Sequence, residues 1–115
     1  VYGAEPKNAD DTYQSIKRKK IVPNKTTDTI ADGLRAQVGT ITFPIIQKHV
    51  DGIILVSEEM IIQSMRMVWQ RLKIIIEPSC SIVLAAILTN KKQFYNKRIG
   101  LILTGGNVDL DTLPW

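Results

Sequence analysis

The 115-residue sequence has little of several things. It holds one cysteine, Cys80, so no disulfide can close within it, and a lone thiol fits a reducing, cytoplasmic setting. Its one histidine, His49, belongs to no serine–histidine–carboxylate arrangement and reads as a surface residue at a helix end. Aromatic residues make up only 6%; none lies within Lys17–Lys20, and the run Lys91, Lys92, Lys97 and Arg98 has only the pair Phe94 and Tyr95. Single-stranded nucleic acid needs aromatics to stack on bases. Those runs are therefore expected to be solvated ends, and no nucleic-acid partner is expected despite a net charge of +4. No apolar run approaches the roughly 18–20 residues that span a bilayer, so no membrane partner is expected. The chain opens on Val1 rather than Met, with "VYGAEP" reading as a strand already under way. The expectation is an internal or C-terminal piece of a longer protein, the alternative being a processed small protein.

Against these shortages stands a 44% apolar content, enough to bury a core in a single partial domain over residues 1–115. Val1–Gly3 is expected to be a strand, and Asn8 to about Lys20 a polar helix. Pro23 and Asn24 mark a loop. Thr29–Leu34 is expected to open a short helix, stopped near Gly33. Thr40 to Val50 is expected to be helical, with Pro44 in the first turn. Ile53–Val56 reads as a buried strand. Ser57 is placed to N-cap a long helix, with Glu58 and Glu59 at its positive end. Ile61, Met65, Val68, Leu72 and Ile75 recur at spacings of four and three and define its inner face, with Met65 and Met67 as core filler. Pro78 is expected to break that helix and start the next, running to about Asn90. Ile99–Leu103 is expected to be the last strand. Unbroken apolar strands alternating with helices predict an α/β fold: a three-layer parallel sheet with flanking helices.

In such sheets ligands bind beyond the carboxyl ends of strands. Two constellations fall there. In "LILTGGNVDL" the hydroxyl of Thr104 leads into Gly105 and Gly106, which permit positive φ and close approach, though a plain turn would use the same letters. In "GAEPKNADD" three carboxylates, Glu5, Asp10 and Asp11, lie within seven residues, suited either to a hard cation or to a solvated loop. Glu77 stands before Pro78 at a helix mouth, where the dipole alone would stabilise it. Cys80 has a lowered thiol pKa or simple burial as its alternatives, burial being the expectation.

"GAEPKNADD", "TIADGL", "VSEEMI…IIIEPS" and "RIGLILTGGNVDL", in that order, resemble the C-terminal half of the large domain of fold-type-II pyridoxal-phosphate enzymes, with their tryptophan-synthase-β-like fold. Within these the chain is most similar to the serine racemases and serine/threonine dehydratases. The resemblance implies that Thr104 bonds the cofactor's pyridine nitrogen, with Gly105 and Gly106 leaving the ring clearance and with Glu77, Asp32 and Gly33 nearby. A neutral hydroxyl partner leaves that nitrogen largely unprotonated. The resemblance also implies a Mg²⁺ or Ca²⁺ site made by Glu5, the Ala9 carbonyl and Asp11, and ATP as an effector at Arg71, Lys73 and Asn107. It further implies a homodimer acting on serine or threonine.

The chain departs from the family pattern in three places. Thr104 replaces a usual serine, Cys80 a usual glycine or alanine, and Ala36 a common serine. No lysine sits in a motif matching the family's cofactor-attaching lysine, and no glycine-rich phosphate loop is present. No catalytic residue is therefore assigned within these 115 residues, and pyridoxal phosphate is expected to bind the isolated chain weakly or not at all. The implied activity is racemisation of serine, or elimination of water from serine or threonine to a 2-oxo acid and ammonia. The alternatives are an inactive cation- or nucleotide-binding module that pairs with a full-length enzyme, and a non-functional truncated product.

Overall fold

The computed structural model describes residues 1–115. Strand β1 (Tyr2–Pro6) leads to helix α1 (Asp11–Arg18), a 3-10 turn at Asp32–Leu34, helix α2 (Thr42–His49), strand β2 (Gly52–Val56), helix α3 (Glu58–Leu72), helix α4 (Pro78–Thr89) and a second 3-10 turn at Leu110–Thr112. β1 and β2 pair in parallel, with Tyr2 opposite Gly52 and Pro6 opposite Val56. A parallel pair needs a long crossover, and α1 and α2 supply it. The architecture is α/β, with parallel strands and flanking helices.

Local chemistry sets the element ends. The Ser57 hydroxyl accepts the Met60 N–H at the start of α3. Pro78 opens α4, where its missing N–H would have gone unused anyway. Pro44 sits in the first turn of α2, as its fixed φ allows. α3 stops at Leu72 because Lys73 takes the left-handed conformation (φ 59°) and donates its N–H to the Trp69 carbonyl. The expected inner face is therefore cut short. Ile61, Met65 and Val68 are buried, while Leu72 is exposed and Ile75 lies beyond the helix, also exposed. Pro78 does not break α3, which has ended six residues earlier. Met67 faces outward and is not core filler, whereas Met65 is fully buried.

The core has two parts. Val56, Ile61, Ile82, Ala85 and Ala86 close around Ala31, and Met65, Val68, Ile76 and Cys80 form a second cluster. Ala85 and Ala86 let α4 lie close to its neighbours. The buried Ser81 hydroxyl sits between the carbonyls of Ile61 (3.0 Å) and Pro78 (2.9 Å), joining α3 to α4. Burial of Cys80 matches expectation.

The expected third strand does not form. Ile99–Leu103 forms no regular element, and no backbone hydrogen bond joins any residue from Arg98 to Thr104 to the rest of the protein. Its sequence has strand character, yet a strand is defined by a neighbour, and this run has none within hydrogen-bonding reach. Only 18 of the 115 residues are buried, so much of the apolar content lies open.

Candidate functional site

The N-terminal mouth of α4 gathers three distant stretches of chain. Glu77 is the N-cap residue of α4, but its side chain does not cap the helix. Its carboxylate turns instead to the C-terminal run and accepts the Asn107 N–H at 2.9 Å, while its own N–H donates to the Gly105 carbonyl at 3.1 Å. Helix-dipole stabilisation alone does not describe it; Glu77 is clamped at two points. From the other side, the Gly33 N–H donates to the Ser79 hydroxyl at 3.0 Å and to Asp32 Oδ1 at 2.9 Å. A Cβ on Gly33 would come to 3.0 Å from that hydroxyl, so glycine is what permits the contact.

The Gly-Gly pair has a different reason from the expected one. Neither glycine has positive φ. A Cβ on Gly105 would meet Glu77 Oε1 at 2.6 Å, and one on Gly106 the Ile75 carbonyl at 2.8 Å. The space these glycines leave is occupied by Glu77 and by the chain just before it. Thr104 next to them is exposed, and its hydroxyl has no protein partner. Gly33, Glu77, Thr104 and Gly105 thus lie along segments that converge on one mouth.

The acidic loop builds a second, separate place at the carboxyl end of β1. Asp11 is 2% exposed; its carboxylate accepts the Asn24 side-chain amide at 3.0 Å and the Val38 N–H at 2.6 Å. Glu5 accepts the N–H groups of Thr12 (3.2 Å) and Tyr13 (2.8 Å), capping α1 from the neighbouring strand where the local N-cap, Asp10, makes no side-chain cap bond. Burial pushes the Glu5 carboxyl above its ordinary value, and the charge of Asp11 adds to the rise while the two N–H groups oppose it. Ala9 is buried, and its carbonyl accepts no backbone hydrogen bond. The capping role of Glu5 was not legible in sequence, because its partners lie seven and eight residues away.

Glu58 was expected only as a favourable charge at the start of α3. Its Oε2 accepts the Ile30 N–H at 2.9 Å, so it also holds the Thr29–Gly33 segment in place, while Oε1 is buried without a partner. Arg71 and Lys73 lie exposed at the end of α3, with no side-chain ion pair. Asn107 is placed beside Glu77. His49 and the basic runs are exposed, as expected. No helix is long and apolar enough to cross a membrane.

A family model described as "Pyridoxal-phosphate dependent enzyme" matches residues 1–105. This chain belongs to that family. Serine racemase of Dictyostelium discoideum is 50% identical over 120 residues, which cover 98% of this chain and 36% of that protein. The β-hydroxyaspartate dehydratase of Paracoccus denitrificans is 44% identical over 115 residues, covering all of this chain and 36% of that one. Among solved structures, the Dictyostelium serine racemase superposes with a TM-score of 0.88 at 51% identity, over 96% of this chain and 36% of that chain. The T.th. threonine deaminase superposes at 0.90 with 38% identity, over 95% and 40%. The chain therefore spans a little over a third of the length of the relatives it matches.

Proposed function

We propose that this chain forms part of a pyridoxal-phosphate enzyme acting on serine or another β-hydroxy amino acid, by racemisation, by elimination of water to a 2-oxo acid and ammonia, or by both. The observation that carries the reading is the unpartnered, exposed Thr104 hydroxyl, one residue before the Gly105 that packs against a Glu77 carboxylate clamped by Asn107. The donor set fits a pyridine ring: a neutral hydroxyl is free to bond its nitrogen, and the nearby carboxylate is held by a backbone N–H. Bound pyridoxal phosphate supplies an electron sink for the pair left when an α-proton departs. Thr104 would orient the ring and, being neutral, would leave its nitrogen largely unprotonated. Glu77 would border it, and Asp32 and Gly33, fixed by Ser79, would border the substrate side. Alone, without the attaching lysine and phosphate loop, these residues hold pyridoxal phosphate weakly or not at all.

The reading extends to a Mg²⁺ or Ca²⁺ ion at Glu5, the Ala9 carbonyl and Asp11. The donors are all oxygen, and a cation there would relieve the repulsion between two neighbouring carboxylates. It extends also to ATP as an effector at Arg71, Lys73 and Asn107, and to a homodimer in the cytoplasm.

The test supplies the full-length enzyme with pyridoxal phosphate and L-serine, L-threonine or β-hydroxyaspartate in deuterium oxide. Solvent deuterium should appear at the α-carbon of the D-serine formed by racemisation, or at the β-carbon of the 2-oxo acid formed by elimination. Thr104→Ala should lower kcat/KM by about tenfold or more, and Thr104→Ser should largely restore it. No deuterated D-amino acid and no β-deuterated 2-oxo acid from any of the three substrates refutes the proposal.

A further inference from the structure

The segment Thr29–Gly33 brings Asp32 and Gly33 to the mouth of α4, yet its backbone bonds only to itself and to its immediate neighbours. The Thr29 N–H donates to the Thr27 carbonyl, Asp32 to Ile30, Leu34 to Ala31 and Arg35 to Asp32. The Arg35 guanidinium closes the same loop, donating to the Thr29 carbonyl at 2.6 and 3.1 Å. Hydrogen bonds leave the segment toward two helices only. The Ile30 N–H reaches Glu58 Oε2 at the start of α3, at 2.9 Å. The Gly33 N–H and Asp32 Oδ1 both meet the Ser79 hydroxyl in α4. We propose that Glu58 is a positioning residue for the amino-acid substrate: by holding Ile30 it sets where Asp32 and Gly33 stand at that mouth. The inference rests on the reading that those two residues border the substrate side.

Glu58 does more than supply a charge to a helix end. Glu58 and Glu59 both lie in the first turn of α3, where the dipole favours carboxylates. Glu59 is exposed and makes no bond to the segment. Glu58 turns inward, and its Oε1 is buried without a partner. Burying a carboxylate oxygen unpaired is unfavourable, and the dipole does not require it. What the inward turn gains is the bond to Ile30.

That bond supplies something packing does not. The next residue, Ala31, is fully buried against Val56, Ile61 and Ile82, which fixes how deep the segment sits. Apolar contact has no direction, so it does not fix how the peptide is turned. The Ile30 bond does so at one end and Ser79 at the other. With Ile30 released, Gly33 remains tied to α4 while the peptide before Ala31 can rotate, and Asp32 moves with it. Misplacing a binding group by about 1 Å is enough to slow a reaction strongly. One oxygen of Glu58 is bonded and the other is buried, so it acts through the segment and not by touching substrate.

The test uses the full-length enzyme with pyridoxal phosphate, at a temperature where every variant is folded. Glu58→Ala should lower kcat/KM for L-serine, L-threonine or β-hydroxyaspartate about tenfold, mainly through KM, with the visible absorbance of the bound cofactor unchanged. The Ile30 amide should then exchange about tenfold faster. Glu58→Gln keeps an oxygen facing Ile30 and should stay within about threefold of wild type on both measures. Glu59→Ala removes the same charge from the same turn and should alter neither. An unchanged KM in Glu58→Ala overturns the inference. So does an equal rise in Glu59→Ala, which marks helix-end charge, or in Glu58→Gln, which marks charge in place of the bond. A wild type that turns over none of the three substrates refutes the underlying reading and this inference with it. A working wild type with an insensitive Glu58→Ala refutes this inference alone.

Discussion

The loop after β1 and the run from Arg98 to Asn107 are built in opposite ways. In the first, every carboxylate oxygen of Glu5 and Asp11 meets an N–H donor, and Asp11 is almost fully buried. In the second, seven successive backbone units bond to nothing, and the chain is first tied down at Gly105 and Asn107, by Glu77. The first region is completed from within the chain, by partners between Thr12 and Val38. The second leaves its backbone groups without partners in the chain.

That contrast can be broken or sharpened by experiment. The largest effect should come from the core beneath both regions. Ile61→Ala should destabilise the 115-residue chain by about 2–5 kcal/mol in urea unfolding, whereas Ile102→Ala should stay within about 0.5 kcal/mol. In the full-length enzyme the Ile102 penalty should grow if the rest of the protein covers this run; equal penalties in the two proteins would remove the distinction.

Next in size is Asp11→Asn. It places an amide opposite the Val38 N–H and should cost about 1–3 kcal/mol. It should also abolish any rise in Tm produced by Mg²⁺ or Ca²⁺; a Tm that ignores both ions in the wild type counts against the cation site. Gly105→Ala comes third. The new methyl must push Glu77 off Asn107, at a cost of about 1 kcal/mol, seen as faster exchange of the Asn107 amide.

The smallest effect is electrostatic. The folded-state pKa of Glu5 is raised above the ordinary 4.5, so its contribution is fully present below that value and is lost as pH rises through the raised one. Glu5→Gln should flatten this decline in a pH series of unfolding curves. A divalent cation should oppose the decline in the wild type only, and its affinity should weaken as pH falls back through the same range.

Much of the fold was legible because short-range chemistry decided it. Ser57 capped α3, Pro78 opened α4, and the spacing Ile61–Met65–Val68 named the buried face. Legibility failed where a distant contact or backbone conformation overrode the pattern. The helical period continued to Ile75, but the left-handed Lys73 ended the helix first. Ile99–Leu103 has the composition of a strand, yet pairing is not a property of one segment. At the site, Thr104, Glu77 and Gly33 were found through motif resemblance. What sequence missed were the ties among them: Ser79 to Gly33, Asn107 to Glu77, and the close approach that makes Gly105 necessary.

One remaining contact has a practical consequence. The indole N–H of Trp69 donates to the Ile76 carbonyl at 2.9 Å, one residue before Glu77, and its ring meets Trp115 edge-on at 5.3 Å. The protein thereby carries its own optical gauge. Any molecule that settles at the mouth of α4 and shifts that carbonyl will change tryptophan emission, so occupancy can be followed by light without attaching a label.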